Sequence, residues 1–187
     1  MTRLACLAAL LLASAAPAPA FAADWKMDPA ASRLDFAATF EGTPAPGVFK
    51  NFEVRLDFDP ERPADGRLEV RIGVASADMA NADINKAIAG PEWFDFARHP
   101  QAEFRAAEIR RVQGNSYLAR GTLSLKGVQQ AVEVPFSWND AAGGANMQGE
   151  FTVKRLPFGI GTGEWAATNV IGPDVAIKFR VRLRKAS

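Results

Sequence analysis

Eight segments of this chain alternate apolar and polar residues with a period of two, and that feature excludes most folds. In SRLDFAATF, Leu34, Phe36, Ala38 and Phe40 fall on one face while Arg33, Asp35, Ala37 and Thr39 fall on the other. The same period recurs in FEVRLDF (Phe52, Val54, Leu56, Phe58), in RLEVRIGVAS (Leu68, Val70, Ile72, Val74) and around Phe104 in AEFRA. It returns in YLARGTLSLK (Ala119, Gly121, Leu123, Leu125), AVEVPFSW (Val132, Val134, Phe136, Trp138), MQGEFTVK (Met147, Gly149, Phe151, Val153) and DVAIKFRVRLR (Val175, Ile177, Phe179, Val181, Leu183). Successive side chains of a strand point to opposite faces, so each segment reads as a strand with one buried face. The separators PERPADG, VQGN, KGVQQ and NDAAGG carry the Gly, Asn, Asp and Pro of tight reversals, which makes consecutive strands antiparallel.

Alternation stops once for long, over residues 78–100. There Asn81 or Asp83 can cap a short helix through Ile84, Lys86 and Ile88, which Gly90-Pro91 ends. The reading is therefore all-β: eight antiparallel strands with a short helical excursion between strands three and four. A single sheet would leave two edges and an apolar face, and closure into a barrel removes both, with a sandwich as the alternative. The opposite faces carry Arg55, Asp57, Glu69, Arg71, Lys178, Arg180, Arg182 and Arg184, which require water, so the apolar rows face inward.

The 187 residues suit one domain preceded by an export signal. Arg3, an apolar run from Leu4 to Ala16 and the Ala20-Phe21-Ala22 pattern predict a signal peptide over 1–22, cleaved near Ala22, and a barrel domain over 23–187 in the periplasm. That run is too short for a membrane span, which takes about 20 residues. Cys6 is the sole cysteine and falls within the signal, which removes disulfides and thiolate chemistry from the exported chain. The chain has 22 basic and 21 acidic residues; Arg3 is the only charge in 1–22, so its loss leaves 21 of each, a balance unsuited to gripping nucleic acid.

FGIGTGEW (158–165) invites a phosphate-loop reading, but no helix follows it and Glu164 stands where a phosphate-binding lysine would be needed. Its glycines instead suit a tightly bent loop that packs Phe158 and Trp165 across a barrel end. His99 is alone, so neither a nitrogen-sulfur metal shell nor a nucleophile-base pair can be assembled around it; no metal site, catalytic residue or cofactor is assigned. The enzyme alternative is a carboxylate pair, Glu92 with Asp95 or Asp78 with Asp83, acting on a glycan.

An eight-stranded lumen is just filled by side chains, or holds one small ligand when they are small. Ala38, Ala102, Ala106, Ala119, Gly121 and Gly149 are among the inward positions. They fit either a cavity for an elongated apolar guest or a solid, interdigitated core serving as an interaction module.

The segments DWKMDPAASRLDF, GVFKNFEV, ASADM, EWFDFARHPQAEF, GTLSLKGVQQAVEVPF and FTVKRLPFGIGTGEW resemble, in order, the YceI family of secreted bacterial proteins. The resemblance implies a lipocalin-like barrel whose apolar pore holds a polyisoprenoid, either a polyprenyl phosphate or an isoprenoid quinone, as a bound ligand rather than a cofactor. It leaves room for a homodimer. Many members carry a histidine in the helical excursion, whereas Asp83-Ile84-Asn85-Lys86 has none. The pore lining is assigned to Phe36, Phe40, Phe49, Phe52, Trp93, Phe94, Phe104, Phe151, Phe158 and Trp165. Lys50, Asn51, Arg98, Lys154 and Arg155, at strand ends, are the donors available to a polar head.

Overall fold

A computed structural model describes residues 23–186; the expected export signal lies outside the described residues. Eleven strands form one antiparallel sheet: β1 (Ala23–Met27), β2 (Arg33–Phe40), β3 (Thr43–Phe49), β4 (Phe52–Phe58), β5 (Arg67–Gly73), β6 (Ala77–Asp78), β7 (Gln101–Gln113), β8 (Ser116–Leu125), β9 (Val128–Ala141), β10 (Gly144–Lys154) and β11 (Asp174–Lys185). The sheet closes because β11 pairs with β10 on one side and with β1 and β2 in succession on the other.

The ring nevertheless has eight positions. Strands β1 and β2 run in line along β11, broken by a single turn at Pro29–Ala31. Strands β3 and β4 lie in line against them, β3 on β2 and β4 on β1. Strands β5 and β6 continue the same pattern against β4 and β3, with a turn at Val74–Ser76 between them. The barrel is thus the eight-stranded antiparallel one expected, with three of its staves bent in two.

Three strands, β1, β3 and the two-residue β6, were not legible as alternations. Strand β3 carries Pro44 and Pro46, which remove two donors, and beyond its pairing to β2 it is paired only at Val48 and Phe49. Proline is tolerated where one edge of a strand is free. The helix α1 (Ala82–Ile88) lies in the excursion between β6 and β7, and the Asn81 side chain caps it by accepting from the Asp83 and Ile84 amides.

The inward rows are apolar and Arg55, Asp57, Lys178, Arg180 and Arg184 are exposed. Along its axis the interior divides in two. Near the Asp59–Gly66 and Gly143 turns, Trp25, Phe58, Tyr117, Phe136 and Trp138 interlock, edge to face apart from the stacked Tyr117 and Phe136 rings, with ring centroids 4.9 Å apart for Trp25 and Trp138 and 5.0 Å for Phe58 and Tyr117. Trp25 Nε1 donates to the Phe58 carbonyl at 2.9 Å, Trp138 Nε1 to the Asp140 carboxylate at 3.1 Å and the Tyr117 hydroxyl to the Pro60 carbonyl at 3.3 Å, so the plug has its polar atoms satisfied. Full burial of each such ring is worth roughly 1.5–3 kcal/mol, which makes this half the stabilising core. The other half is hollow.

Candidate functional site

The hollow half is an apolar cavity of about 150 Å³. Its wall comes from every part of the ring: Leu34 and Phe36 of β2, Phe49 of β3, Phe52 and Val54 of β4, Val70 and Ile72 of β5, Phe104 of β7, Leu123 of β8, Val132 and Val134 of β9, Phe151 and Val153 of β10, and Ile177 and Phe179 of β11. These are alternate residues of their strands, brought to one level by the register; Val54, Val70, Phe104 and Leu123 are successive cross-strand partners. Phe36 lies opposite Gly47, and a Cβ there would strike the Phe36 ring, so the missing side chain lets the ring lie flat over its partner strand.

The expected source of the volume needs correction. Ala102 lines the cavity, but Ala119 and Ala106 are buried away from it. Gly121 and Gly149 are sites of close backbone approach, where a Cβ would collide with the Arg105 and Pro135 carbonyls respectively. The void exists among large side chains, at the level where no aromatic plug fills the lumen.

Two segments cap this end. One is the excursion 78–100; the other is the connection 155–173, which contains the three alternate glycines. Gly159, Gly161 and Gly163 have φ of 67°, 69° and 62°, the left-handed region that glycine adopts freely. The turn is built around Arg155, which is 2% exposed. All five of its N–H groups are used: Nε donates to Gly172, Nη1 to Ile160 and Gly161, and Nη2 to Trp165 and Ile171, each carbonyl lying 2.8–2.9 Å away. Burial pushes its pKa down from the ordinary arginine value. The two caps are tied together, since the Gly161 and Thr162 amides donate to the Glu92 carbonyl at 2.7 and 3.0 Å. Lys126 Nζ bridges the carbonyls of Pro91 and Gly159 at 2.7 and 2.6 Å, and its desolvation there lowers its pKa.

Seven of the ten residues assigned to the pore stand on the cavity wall: Phe36, Phe49, Phe52, Phe94, Phe104, Phe151 and Phe158. Three do not. Phe40 is 45% exposed, because the β2–β3 hairpin projects past the barrel rim and the alternation continues where no interior remains. Trp93 and Trp165 pack on each other across the two caps at 5.9 Å, forming the lid's own contact rather than the wall. The Trp93 Nε1–H is buried without an acceptor among the described residues.

The polar-head donors also sort differently. Lys50 is paired with Asp78 at 2.5 Å, Arg98 with Asp95 at 2.5 Å and Lys154 with Asp174 at 3.0 Å. Arg155 has no donor left to offer a ligand. Sequence reasoning took it for a strand-end donor available to a polar head, and only the run of glycines after it hinted at a wrapped side chain.

In each pair of the enzyme alternative one carboxylate, Asp78 or Asp95, is held ionised. Hydrogen bonds from Lys50 and then Asn85 hold Asp78 far below the usual carboxylate range, and Arg98 lowers Asp95. A general acid at neutral pH needs its pKa raised, the opposite shift. Among the described residues no group of three or more His, Cys, Asp or Glu is placed to hold a metal ion, and no helix is long and apolar enough to cross a membrane.

The model of the YceI-like domain matches residues 25–183. A UPF0312 protein of Photorhabdus laumondii is 28% identical over 120 residues, 60% of this chain, and the match spans 62% of that relative, less than two thirds of its length. A UPF0312 protein of Pectobacterium carotovorum is 28% identical over 140 residues, 71% of each chain. Among solved structures, BcnA of Burkholderia cenocepacia superimposes with a TM-score of 0.81 at 34% identity, covering 83% of this chain and 98% of that one. A polyisoprenoid binding domain from Saccharophagus degradans, implicated in plant cell wall breakdown, gives 0.69 at 16% identity, covering 89% and 100%, a likeness of fold alone.

Proposed function

The chain belongs to the YceI-like family, and from that premise we propose that it holds an isoprenoid lipid in the apolar cavity of its barrel without transforming it. The observation that carries this reading is the wall itself. Every lining side chain is apolar except Arg155, whose donors are all turned away to backbone carbonyls. Such a surface offers no group to orient or activate a polar substrate, but gains about 0.8 kcal/mol for each methylene it takes from water, before the cost of ordering the guest. The polyisoprenoid binding named for the Saccharophagus degradans domain, which shares the fold, supports the same ligand class.

The exported, periplasmic setting inferred from residues 1–22 fits a carrier that moves such a lipid between membranes. The test is native purification followed by organic extraction and mass spectrometry. A prenyl lipid recovered near one per chain supports the proposal. Extracts without it, and no uptake of added prenyl quinone by the purified protein, reject it.

A further inference from the structure

One junction of the barrel is incomplete. Strand β9 pairs with β8 along 128–137, and β10 pairs with β11 along 145–154. To each other they pair only between 137–141 and 144–148. From there toward the capped end, two facing edges, 128–136 of β9 and 149–154 of β10, run unpaired. The parting begins where Pro135, which has no N–H to give a ladder, abuts Gly149 so closely that a Cβ on the glycine would strike the proline carbonyl. Beyond this point no ion pair ties the lips across the gap among the described residues: Glu133 is paired with Arg120 of β8, and Glu150 with Lys178 of β11. The inner sides of both lips, Val132 and Val134 on β9 and Phe151 and Val153 on β10, are cavity wall.

The volume makes this gap matter. An apolar cavity of ~150 Å³ takes a guest of about the size of benzene. The cavity here has that volume, so a prenyl chain of many units exceeds it. The opposite half of the barrel offers no extension, since the interlocked rings around Phe58 fill it. The cap end is tied shut by Arg155, Lys126 and the Glu92 carbonyl.

We propose that the β9–β10 seam is a lateral slot that takes the part of an isoprenoid chain the cavity cannot hold, with Val132, Val134, Phe151 and Val153 as its apolar lips. The seam, rather than the resting cavity, then sets the chain length the protein accepts. Parting these lips breaks no ladder hydrogen bond, whereas widening the barrel at a fully paired junction would. The inference takes its ligand class from the function proposed above.

Closing the seam covalently tests it. Extending the register of Ser137 opposite Gln148 brings position 133 opposite 152. Both side chains face outward, and the sole native cysteine, Cys6, can be removed as Cys6→Ser. The variant Glu133→Cys/Thr152→Cys in that background draws the strands together when oxidised, because a disulfide requires Cα atoms roughly 5.5–6 Å apart. Two probes are titrated, prenol with one prenyl unit and a polyprenol with ten. The oxidised form is expected to keep prenol and to bind the polyprenol at least about tenfold more weakly, with reduction restoring the polyprenol. Unchanged polyprenol affinity after oxidation, or equal loss of both alcohols, overturns the slot. A native protein that binds neither alcohol rejects the isoprenoid reading itself, a result distinct from these. Should the cysteines fail to join, amide exchange decides: the edges 128–136 and 149–154 gain protection with polyprenol and not with prenol, and equal protection by the two overturns the proposal.

Discussion

Replacing Arg155 with methionine keeps an unbranched apolar stem and removes a guanidinium that organises the whole 155–173 connection. Five carbonyls lose their donor at once, those of Gly172, Ile160, Gly161, Trp165 and Ile171. A hydrogen bond from a charged donor contributes about 1.5–3 kcal/mol net. Desolvating the buried cation costs several kcal/mol in the opposite direction, which leaves a cost of removal of about 3–5 kcal/mol. For a chain of this size each kcal/mol moves the melting temperature by about 2–4 °C, so Arg155→Met should melt roughly 10 °C lower. Arg55→Met is the control, since it removes the same charge from a pair with Glu53 whose side chains are 58% and 54% exposed; an exposed pair is worth about 0–1 kcal/mol. Urea unfolding reads the two free energies, and amide exchange over 158–165 locates the damage. Equal losses in the two variants, or an Arg155→Met protein within about 1 kcal/mol of the native one, would refute the idea that this arginine holds the cap.

Phe151→Ala, at the cavity wall, should reduce lipid retention more than its stability loss explains, whereas Phe58→Ala, in the plug, should cost about 3–5 kcal/mol and leave retention of the folded fraction unchanged; identical retention in the two variants would count against a cavity-bound guest. Gly161→Val forces a β-branched residue to φ 69° with its Cβ 2.5 Å from the Arg155 guanidinium, and should lower the melting temperature while Glu164→Gln, on an exposed side chain, does not; the reverse order would undo the loop argument. The Asp78 carboxyl is depressed by Lys50, Asn85 and the Ala80 amide, so its stabilising contribution is complete above the ordinary carboxylate pKa of about 3.9 and fades as pH falls further. Urea midpoints between pH 6 and pH 3 should therefore fall less steeply for Asp78→Asn than for the native protein, and parallel slopes would show that Asp78 contributes nothing to acid sensitivity.

The sequence period placed the apolar rows and counted the staves correctly, because alternation depends only on which face meets water. It did not show where a stave bends. The short β1, ADWKM, and the proline-bearing β3, TPAPGVF, were invisible as alternations yet merge with β2 and β4 into positions already counted. Nor does a period of two mark the barrel's rim, which is why Phe40 seemed inward. The division of the lumen was likewise out of reach. Phe58 and Phe52 stand on the same face of β4, but one meets Tyr117 and Trp138 and the other meets space, a difference set by cross-strand register. Trp93 and Trp165 belong to no alternation, so their chemistry alone could not separate lid from wall. One signal was legible and went unused: Pro135, inside the alternating run AVEVPFSW, marks the place where the β9–β10 ladder ends.

The most direct measurement of the central claim is an intermolecular nuclear Overhauser spectrum of the protein, labelled at Ile, Leu and Val methyls, with a bound isoprenoid. Cross-peaks from the prenyl methyls to Val70, Ile72, Val132 and Ile177, with none to Val112 on the outer surface, are the expected result. Contacts confined to outward-facing methyls, or a cavity whose resonances do not move at saturating lipid, would contradict it.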